Sequence, residues 1–399
     1  ARVMSALVQG YVPLGDKFDY GPVNTTVSFN PIEGTRFRLG GMTTSNLSRR
    51  WFARGFVAYG VRDHKWKYKG EIEYSFHDKK RHSREFPVHS LRLSQLYDID
   101  YVGQHYVFTN SDNFFLSLKR LTDRNVIYHR LSDLTYTLEL YNNFSVEALL
   151  RNDRRIATGW IPFVDGNGNA MSHYTENYLK LTLRYAPGEK FFQSRSARYP
   201  VNLDAPVFIL SHTFAPQGLS KYPVNKTEFS MQKRFWLSAF GYIDAIAGGA
   251  HVWSQSSYLD LIIPNANLSY TIQPESFALL NPMEFINDSQ VSWFINYSPN
   301  GLIFNLIPGF KKAKLREALS FSGFYRRLSD RNLPALNPHL IAFPPESTIS
   351  RMDRGPYMEI SAGIDNIFRC LRVDYVWRLS YRHPPYQIDR SGVRIAFHA

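Results

Sequence analysis

The chain has 399 residues, of which 44% are hydrophobic, 15% aromatic and 20% charged. This aromatic content excludes a disordered protein, and no stretch reaches the roughly 18 consecutive apolar residues that a membrane-spanning helix needs. The formal charge of +13 favours an anionic partner, and the single cysteine, Cys370, excludes a disulfide framework.

The first 34 residues alternate poorly between apolar and polar side chains. We expect them to form a lead-in that belongs to a preceding periplasmic module or lies in the mouth of the domain formed by residues 35–399. Beyond residue 34, about sixteen segments of roughly ten to fourteen residues show period-two alternation, which is typical of strands. They start near Thr35, Trp51, Trp66, His89, His105, Leu131, Phe144, Tyr174, Ala205, Asn225, Ile243, Ser289, Leu315, Pro356, Leu371 and Ser391.

The alternation is clearest in residues 371–382, where apolar side chains take every second position. Leu371, Val373, Tyr375, Trp377 and Leu379 there oppose a polar set of Arg372, Asp374, Arg378, Ser380 and Arg382. A helix could not separate these two sets onto different faces. The segments are also longer than the five or six residues of an average soluble strand, and they suit strands that cross a bilayer at a tilt.

Nearly every segment has one charged face, and Trp or Tyr lies close to many segment ends. This combination predicts an all-β fold, a transmembrane antiparallel β-barrel of about 16 strands with a polar lumen and aromatic girdles. A large soluble β-sandwich is the alternative. The third possibility, a propeller, lacks the expected repeat of 40 to 50 residues.

Signatures of catalysis are sparse: the chain has no GxSxG or HExxH motif and no phosphate-binding glycine loop. We therefore expect no enzymatic activity, no cofactor and no metal. Asp165 and Glu176 have the spacing of a calcium loop, but Ala170 stands where such a loop needs glycine. A solvated loop tip is the better interpretation.

Arginines gather on the polar faces of the first and last predicted strands, which are neighbours once a barrel closes. The simpler interpretation is ordinary solvation of the lumen, balanced by nearby acids; the functional one is a basic wall for an anionic ligand or polypeptide. Nucleic acid is disfavoured because the charges form no exposed basic stripe. The candidate wall consists of Arg36, Arg38, Arg372, Asp374, Arg378, Arg382 and Arg394.

Several ordered motifs resemble a Bacteroidota outer-membrane family of unknown function whose members carry an N-terminal carboxypeptidase-regulatory-like domain. The motifs are FNPIEGTRFRLGG (29–41), FVAYGVRDHKWKY (56–68), YAPGEKF (185–191), NPMEFINDSQVS (281–292), IPGFKKAKLRE (307–317) and GIDNIFRCLRVDYVWRLSYR (363–382). The resemblance implies that this region is the C-terminal half of such a protein. That position would account for the lack of a visible signal peptide.

Residues 356–399 resemble, more weakly, the last three strands of the BamA/TamA/two-partner-secretion barrel superfamily. That resemblance implies sixteen strands and a long sixth extracellular loop, which would be residues 255–287 here. The superfamily's loop has an Arg-Gly-Phe/Tyr tip, whereas this loop contains no arginine. Arg54-Gly55-Phe56 has the right letters but lies in the second predicted strand.

The sixth loop is rich in apolar residues, and its prolines prevent a regular strand. Because apolar side chains are costly in water, we expect the loop to fold over or into the lumen and narrow it. Glu275 or Glu284 would then reach the inward arginines. A compact extracellular cap is the alternative. The residues of interest are Leu259, Ile262, Ile263, Glu275, Phe277 and Glu284.

The leading functional hypothesis is a barrel of the bacterial outer membrane that helps assemble or export proteins there, within a larger envelope complex. Its expected partners are outer-membrane lipid, lipopolysaccharide and periplasmic or membrane proteins. Two alternatives stay open: a passive porin-like channel for small solutes, and a structural subunit of an envelope complex.

Overall fold

The computed structural model describes residues 10–30, 32–105, 107, 124–194, 198–269, 271, 273–344, 355–383 and 388–397. Strands dominate these residues. They are β1 (Val12–Leu14), β2 (Phe18–Tyr20), β3 (Val27–Asn30), β4 (Gly34–Thr43), β5 (Trp51–Gly60), β6 (Trp66–Ser75), β7 (His89–Tyr101), β8 (Val126–Glu139), β9 (Phe144–Ile156), β10 (Phe163–Val164), β11 (Ala170–Met171), β12 (His173–Tyr185), β13 (Phe191–Gln193), β14 (Arg198–Pro200), β15 (Val207–Ala215), β16 (Val224–Trp236), β17 (Tyr242–Val252), β18 (Ser289–Ser298), β19 (Arg316–Arg327), β20 (Tyr357–Ile367), β21 (Leu371–Arg378) and β22 (Ser391–Phe397).

The described helices are short: one α-helix, α1 (Pro308–Ala313), and the 3-10 turns Val23–Thr25, Ser238–Phe240, Phe304–Leu306 and Asp330–Asn332. None of them is long and apolar enough to cross a membrane.

One antiparallel sheet contains all the long strands. Each long strand from β4 to β22 pairs with the next, and the two small hairpins β10–β11 and β13–β14 lie in connections outside this sheet. The prediction of an all-β antiparallel barrel is confirmed.

The N-terminal edge of the sheet is an interrupted strand. β2 pairs with one end of β4, from Phe18 opposite Thr43, and β3 pairs with the other end, from Asn30 opposite Gly34. Between them, Gly21 N donates to Gly40 O over 3.0 Å. Residues 18–30, which the alternation had assigned to the lead-in, therefore supply the sixteenth strand beside fifteen long ones in the described residues.

The segment predicted near His105 lies mostly outside the described residues. β7 ends at Tyr101, and the N–H of His105 donates to the side chain of Asn265 over 2.8 Å instead of pairing with a strand. Residues 106 and 108–123, over which that segment would continue, lie outside the described residues. The remaining fifteen predicted segments each coincide with a long strand.

The connections alternate between two ends of the barrel. We call one end the terminal rim; it carries the start of β2, the end of β22 and the connections 44–50, 76–88, 140–143, 186–206, 237–241, 299–315 and 368–370. The opposite end, the loop rim, carries the connections 31–33, 61–65, 102–125, 157–172, 216–223, 253–288, 328–356 and 379–390. Residues 255–287 are thus part of the sixth connection along the loop rim, and they are called the sixth loop below.

The two faces of the wall separate apolar from polar side chains as the alternation predicts. On β21, Asp374, Val376 and Arg378 are buried, whereas Tyr375 and Trp377 between them are exposed. The exposed side chains form the outer face, which in a membrane contacts lipid. The interior is filled unevenly, because the buried apolar clusters lie at the loop rim and against β18–β20.

Candidate functional site

The sixth loop folds into the barrel and packs on the inner wall. Phe277 and Phe285 of the loop contact inward side chains of three consecutive strands, Phe294 on β18, Phe324 on β19 and Tyr357 on β20. The rings of Phe277 and Phe324 are 5.0 Å apart, and those of Phe277 and Phe294 are 4.8 Å apart. These aromatic contacts hold the central part of the loop inside the lumen.

The beginning of the loop joins a second apolar cluster at the loop rim. Ile262 and Ile263 are buried there, and Leu259 packs against the cluster from its edge. Leu340 and Ile341 of the connection 328–356 belong to the same cluster. The structure therefore combines both expectations for this loop, because one part caps the loop rim and the other occupies the lumen.

The C-terminal half of the loop is bound to the wall by an ion pair. Glu284 lies opposite Arg378 of β21, with Nη2–Oε1 and Nη1–Oε2 distances of 2.5 and 3.1 Å. Both side chains are fully excluded from solvent. The Arg378 guanidinium also lies 4.8 Å from the ring centre of Tyr357. Of the two acids considered from the sequence, Glu284 reaches an inward arginine within the described residues.

Glu275 has a different neighbour. Its Oε2 accepts a hydrogen bond from the N–H of Val107, over 2.9 Å. This contact joins the sixth loop to the connection 102–125 at the loop rim.

A second ion pair, which the sequence analysis missed, binds the N-terminal half of the loop. Asp260 accepts two hydrogen bonds from Arg155 of β9, with distances of 2.6 and 2.9 Å. Arg155 also pairs with Asp153 on its own strand, over 2.9 Å. The inward position of Arg155 follows from the alternation of β9, but nothing in the sequence indicates that Asp260 is its partner.

The loop backbone is held by charged side chains of the last strands. Glu359 on β20 accepts hydrogen bonds from the N–H groups of Ala278 and Leu279, both over 2.8 Å. Arg394 on β22 donates to the carbonyl of Ala278 over 3.2 Å. Arg326 on β19 donates to the carbonyl of Ile286 over 2.9 Å. Irregular backbone inside a barrel needs such partners, since its polar groups cannot be left unpaired away from water.

The candidate basic wall does not form one surface. Arg378 and Arg394 contact the sixth loop, whereas Arg372 pairs with Asp374 of its own strand over 2.8 Å. Arg382 lies beyond the end of β21 and is exposed, because the strand ends four residues earlier than the alternation indicates.

Arg36 and Arg38 are on β4, which lies on the N-terminal side of the seam between the first and last strands. Arg36 binds both carboxylate oxygens of Asp98 over 2.7 and 2.8 Å and also pairs with Glu33. The guanidinium of Arg38 lies 3.8 Å from the ring centre of Phe56. The structure thus brings Arg378 and Arg394 together around the sixth loop and separates them from this pair.

The last strand has one regular neighbour. β22 pairs with β21 along its length, and among the described residues no ladder joins it to β1, β2 or β3. An isolated parallel bridge links Ile395 of β22 to Thr271 of the sixth loop. The edge at which the barrel would close is therefore contacted by the loop inside the lumen.

Within the described ranges, no three His, Cys, Asp or Glu side chains come together as ligands of a metal ion would. The expectation that the protein uses no metal or cofactor stays a prediction.

Residues 131–331, just over half of the chain, match the family described as the C-terminal domain of a family of unknown function, DUF5686. The chain belongs to this family. The match runs from β8 to the connection after β19 and so includes the whole sixth loop. No curated protein sequence matches the chain significantly.

Solved outer-membrane barrels resemble the structure at low sequence identity. BamA from Haemophilus ducreyi, lacking POTRA domains 1-3, aligns with a TM-score of 0.53 and 8% identity, over 92% of this chain and 69% of that one. CdiB from Escherichia coli aligns with a TM-score of 0.48 and 9% identity, over 96% and 62%. OccK10 (OpdN) from Pseudomonas aeruginosa gives 0.34 and 14%, over 94% and 96%. The similarity to BamA establishes a shared fold.

Proposed function

We propose that this DUF5686 domain resides in the bacterial outer membrane and helps to assemble or export proteins there. It would act within a larger envelope complex, with a periplasmic domain or partner protein, outer-membrane lipid and lipopolysaccharide as its neighbours. No enzymatic step and no nucleic acid enter this proposal.

The observation that carries the proposal is the edge of β22. An unpaired strand edge is a template for pairing with another chain, and proteins usually close or cover such edges. Here the described part of β22 has a ladder on one side only, and Thr271 and Ala278 of the sixth loop contact it from the lumen. Release of the loop would free this edge for a strand of a client protein.

Locking the seam tests the proposal. In a Cys370→Ser background, Val393→Cys on β22 is combined in turn with Val27→Cys or Phe29→Cys on β3. A disulfide formed there should leave the barrel folded and yet reduce the amount of other outer-membrane proteins in cells. The matched control is Val393→Cys with Tyr375→Cys, because these residues already face each other in the β21–β22 ladder. Full function with a locked seam would contradict the proposal and favour a passive channel.

Measurement of ion conductance is an independent test that distinguishes the proposed assembly function from a passive channel. The apolar and ionic contacts of the sixth loop fill part of the lumen, so the purified barrel should be nearly closed in a planar bilayer. A large stable conductance would support a porin-like channel.

A further inference from the structure

A segment of the terminal rim lies on the outside of the barrel wall. Glu317 of β19 is on the same strand face as Leu319 and Tyr325, which are exposed on the outer surface. Its Oε1 accepts hydrogen bonds from the N–H groups of Ile303 and Phe304, over 2.6 and 2.5 Å. The connection between β18 and β19 is therefore fastened to the outer face of the wall. We call residues 302–314 the rim segment.

The rim segment is held at its other end and in its middle as well. The side-chain amide of Asn366, near the end of β20, donates to the carbonyl of Lys314 over 2.6 Å. The rings of Phe304 and Phe310 pack edge to face, with centres 4.8 Å apart. These contacts give the rim segment a defined structure, and the buried carboxylate of Glu317 fixes its start.

The side chains that this structure presents are strongly apolar. Leu306 is 80% exposed and Ile303 is 59% exposed, and Leu302 and Ile307 are exposed beside them. Phe240 and Phe368, on the rim turns to either side, are exposed too. Contiguous exposed apolar side chains mark a surface that is covered by a partner or a membrane.

Three lysines follow these apolar residues in the second half of the rim segment. Lys311, Lys312 and Lys314 are exposed, and the rim segment itself contains no acid. Apolar residues followed by lysines are characteristic of segments that lie in a membrane interface, with apolar groups among the acyl chains and cations at anionic headgroups.

We infer that the rim segment is a membrane-interface anchor that inserts Leu302, Ile303, Leu306 and Ile307 into the leaflet at the terminal rim and binds anionic phospholipid headgroups through Lys311, Lys312 and Lys314. The lipid is the occupant because the segment is continuous with the lipid-facing surface of β19. A soluble protein would have to displace lipid from the wall to reach the same side chains. Outer-membrane barrels have short periplasmic turns and longer extracellular loops, and the longest connections lie at the loop rim, so under the proposed outer-membrane location the leaflet is the periplasmic one.

The experiment uses a single introduced cysteine. In a Cys370→Ser background, Leu306→Cys carries an environment-sensitive fluorophore, and the full chain is reconstituted into phosphatidylethanolamine vesicles. Brominated phosphatidylglycerol or brominated phosphatidylethanolamine, each added over the same range of mole fractions, then serves as a short-range quencher. Both lipids should quench the label, and the anionic lipid should quench it at a much lower mole fraction.

The lysines are tested by charge removal in the same labelled chain. Each basic residue near an anionic surface strengthens binding roughly fivefold, so three of them should give a preference of at least about tenfold after screening by salt. Lys311→Gln/Lys312→Gln/Lys314→Gln should abolish the preference. The matched control, Lys17→Gln/Lys80→Gln/Lys190→Gln, removes the same charge from exposed sites of the same rim and should retain it.

Correct folding of every variant is verified by the heat-dependent mobility of the barrel in electrophoresis. A label that stays in water and is quenched by neither lipid would overturn the anchor, and it would indicate a surface for a soluble partner. Equal quenching by the two lipids in the chain with its native lysines would overturn the headgroup site.

Discussion

Glu284 and Arg378 form an ion pair in the interior of the barrel, and both side chains are completely inaccessible to solvent. The acid is on the sixth loop and the arginine is on β21, next to the last strand. Because two charges removed from water are tolerated only together, this pair couples the position of the loop to the wall beside the seam.

Removal of one member of the pair should destabilise the barrel strongly. We expect Glu284→Gln or Arg378→Gln alone to lower the free energy of unfolding by about 3 to 5 kcal/mol, since the remaining group stays buried without its counter-charge. Glu284→Leu with Arg378→Met should recover most of this loss, because well-packed apolar groups replace a buried pair at little cost. Urea unfolding in lipid or detergent measures both effects.

The control for this series is the exposed pair of Arg50 and Asp78, whose side chains are about half exposed. Arg50→Gln should leave the free energy of unfolding nearly unchanged, because an exposed ion pair gains little over hydration by water. A loss at Glu284 as small as the loss at Arg50 would contradict the coupling.

Deletion of residues 259–280 should open the lumen. This deletion removes Asp260 and Phe277, two of the contacts that hold the loop against the wall, together with most of its apolar side chains. We expect a marked rise in single-channel conductance. Deletion of residues 217–219, an exposed part of the preceding loop-rim connection, should leave the trace unchanged. An unchanged trace in the larger deletion would rule out a gating role for the loop.

Cysteine labelling should confirm the orientation of β21. In a Cys370→Ser background, a cysteine at Tyr375 should react with lipid-soluble reagents, and a cysteine at Arg372 should react with water-soluble ones. The reason is that Tyr375 is on the exposed outer face, whereas Arg372 is on the inner face with Asp374. The reverse pattern of labelling would show that the wall is inverted.

His82 predicts a pH dependence of stability. This residue is in the connection 76–88 at the terminal rim, and burial lowers the pKa of its imidazole to about 4. The charges of Arg198, Arg84 and Lys79 act in the same direction, and that of Glu85 opposes them. The unfolded chain, with an ordinary pKa near 6.5, therefore binds the proton first as the pH falls.

The contribution of His82 to stability is accordingly complete above about pH 6.5 and is lost as the pH falls from there toward 4. His82→Gln should flatten the dependence of the free energy of unfolding on pH in this window. His64→Gln is the control, because His64 is an exposed residue in a loop-rim turn. An equal pH dependence in the His82 variant and the unsubstituted chain would refute this assignment.

The alternation of single strands was readable from the sequence because it depends only on neighbouring residues. In β21, Asp374 and Arg378 face the interior and Tyr375 and Trp377 face outward, as their polarity indicates. The length of the segments indicated strands that cross a membrane, and counting the segments predicted about sixteen strands. One segment in this count, near His105, continues over residues outside the described ones, and the N–H of His105 itself donates to Asn265 of the sixth loop.

Only the tertiary structure determined how distant segments meet. Residues 18–30 read poorly as a strand because Gly21 and Pro22 interrupt them, yet the free edge of β4 pairs with both halves. The partners of Arg155 and Arg378 are likewise separated from them by 105 and 94 positions. Alternation assigns a side chain to a face of the wall, but the choice of partner depends on barrel closure and on the path of an irregular loop. Neither of these leaves a periodic signal in the sequence.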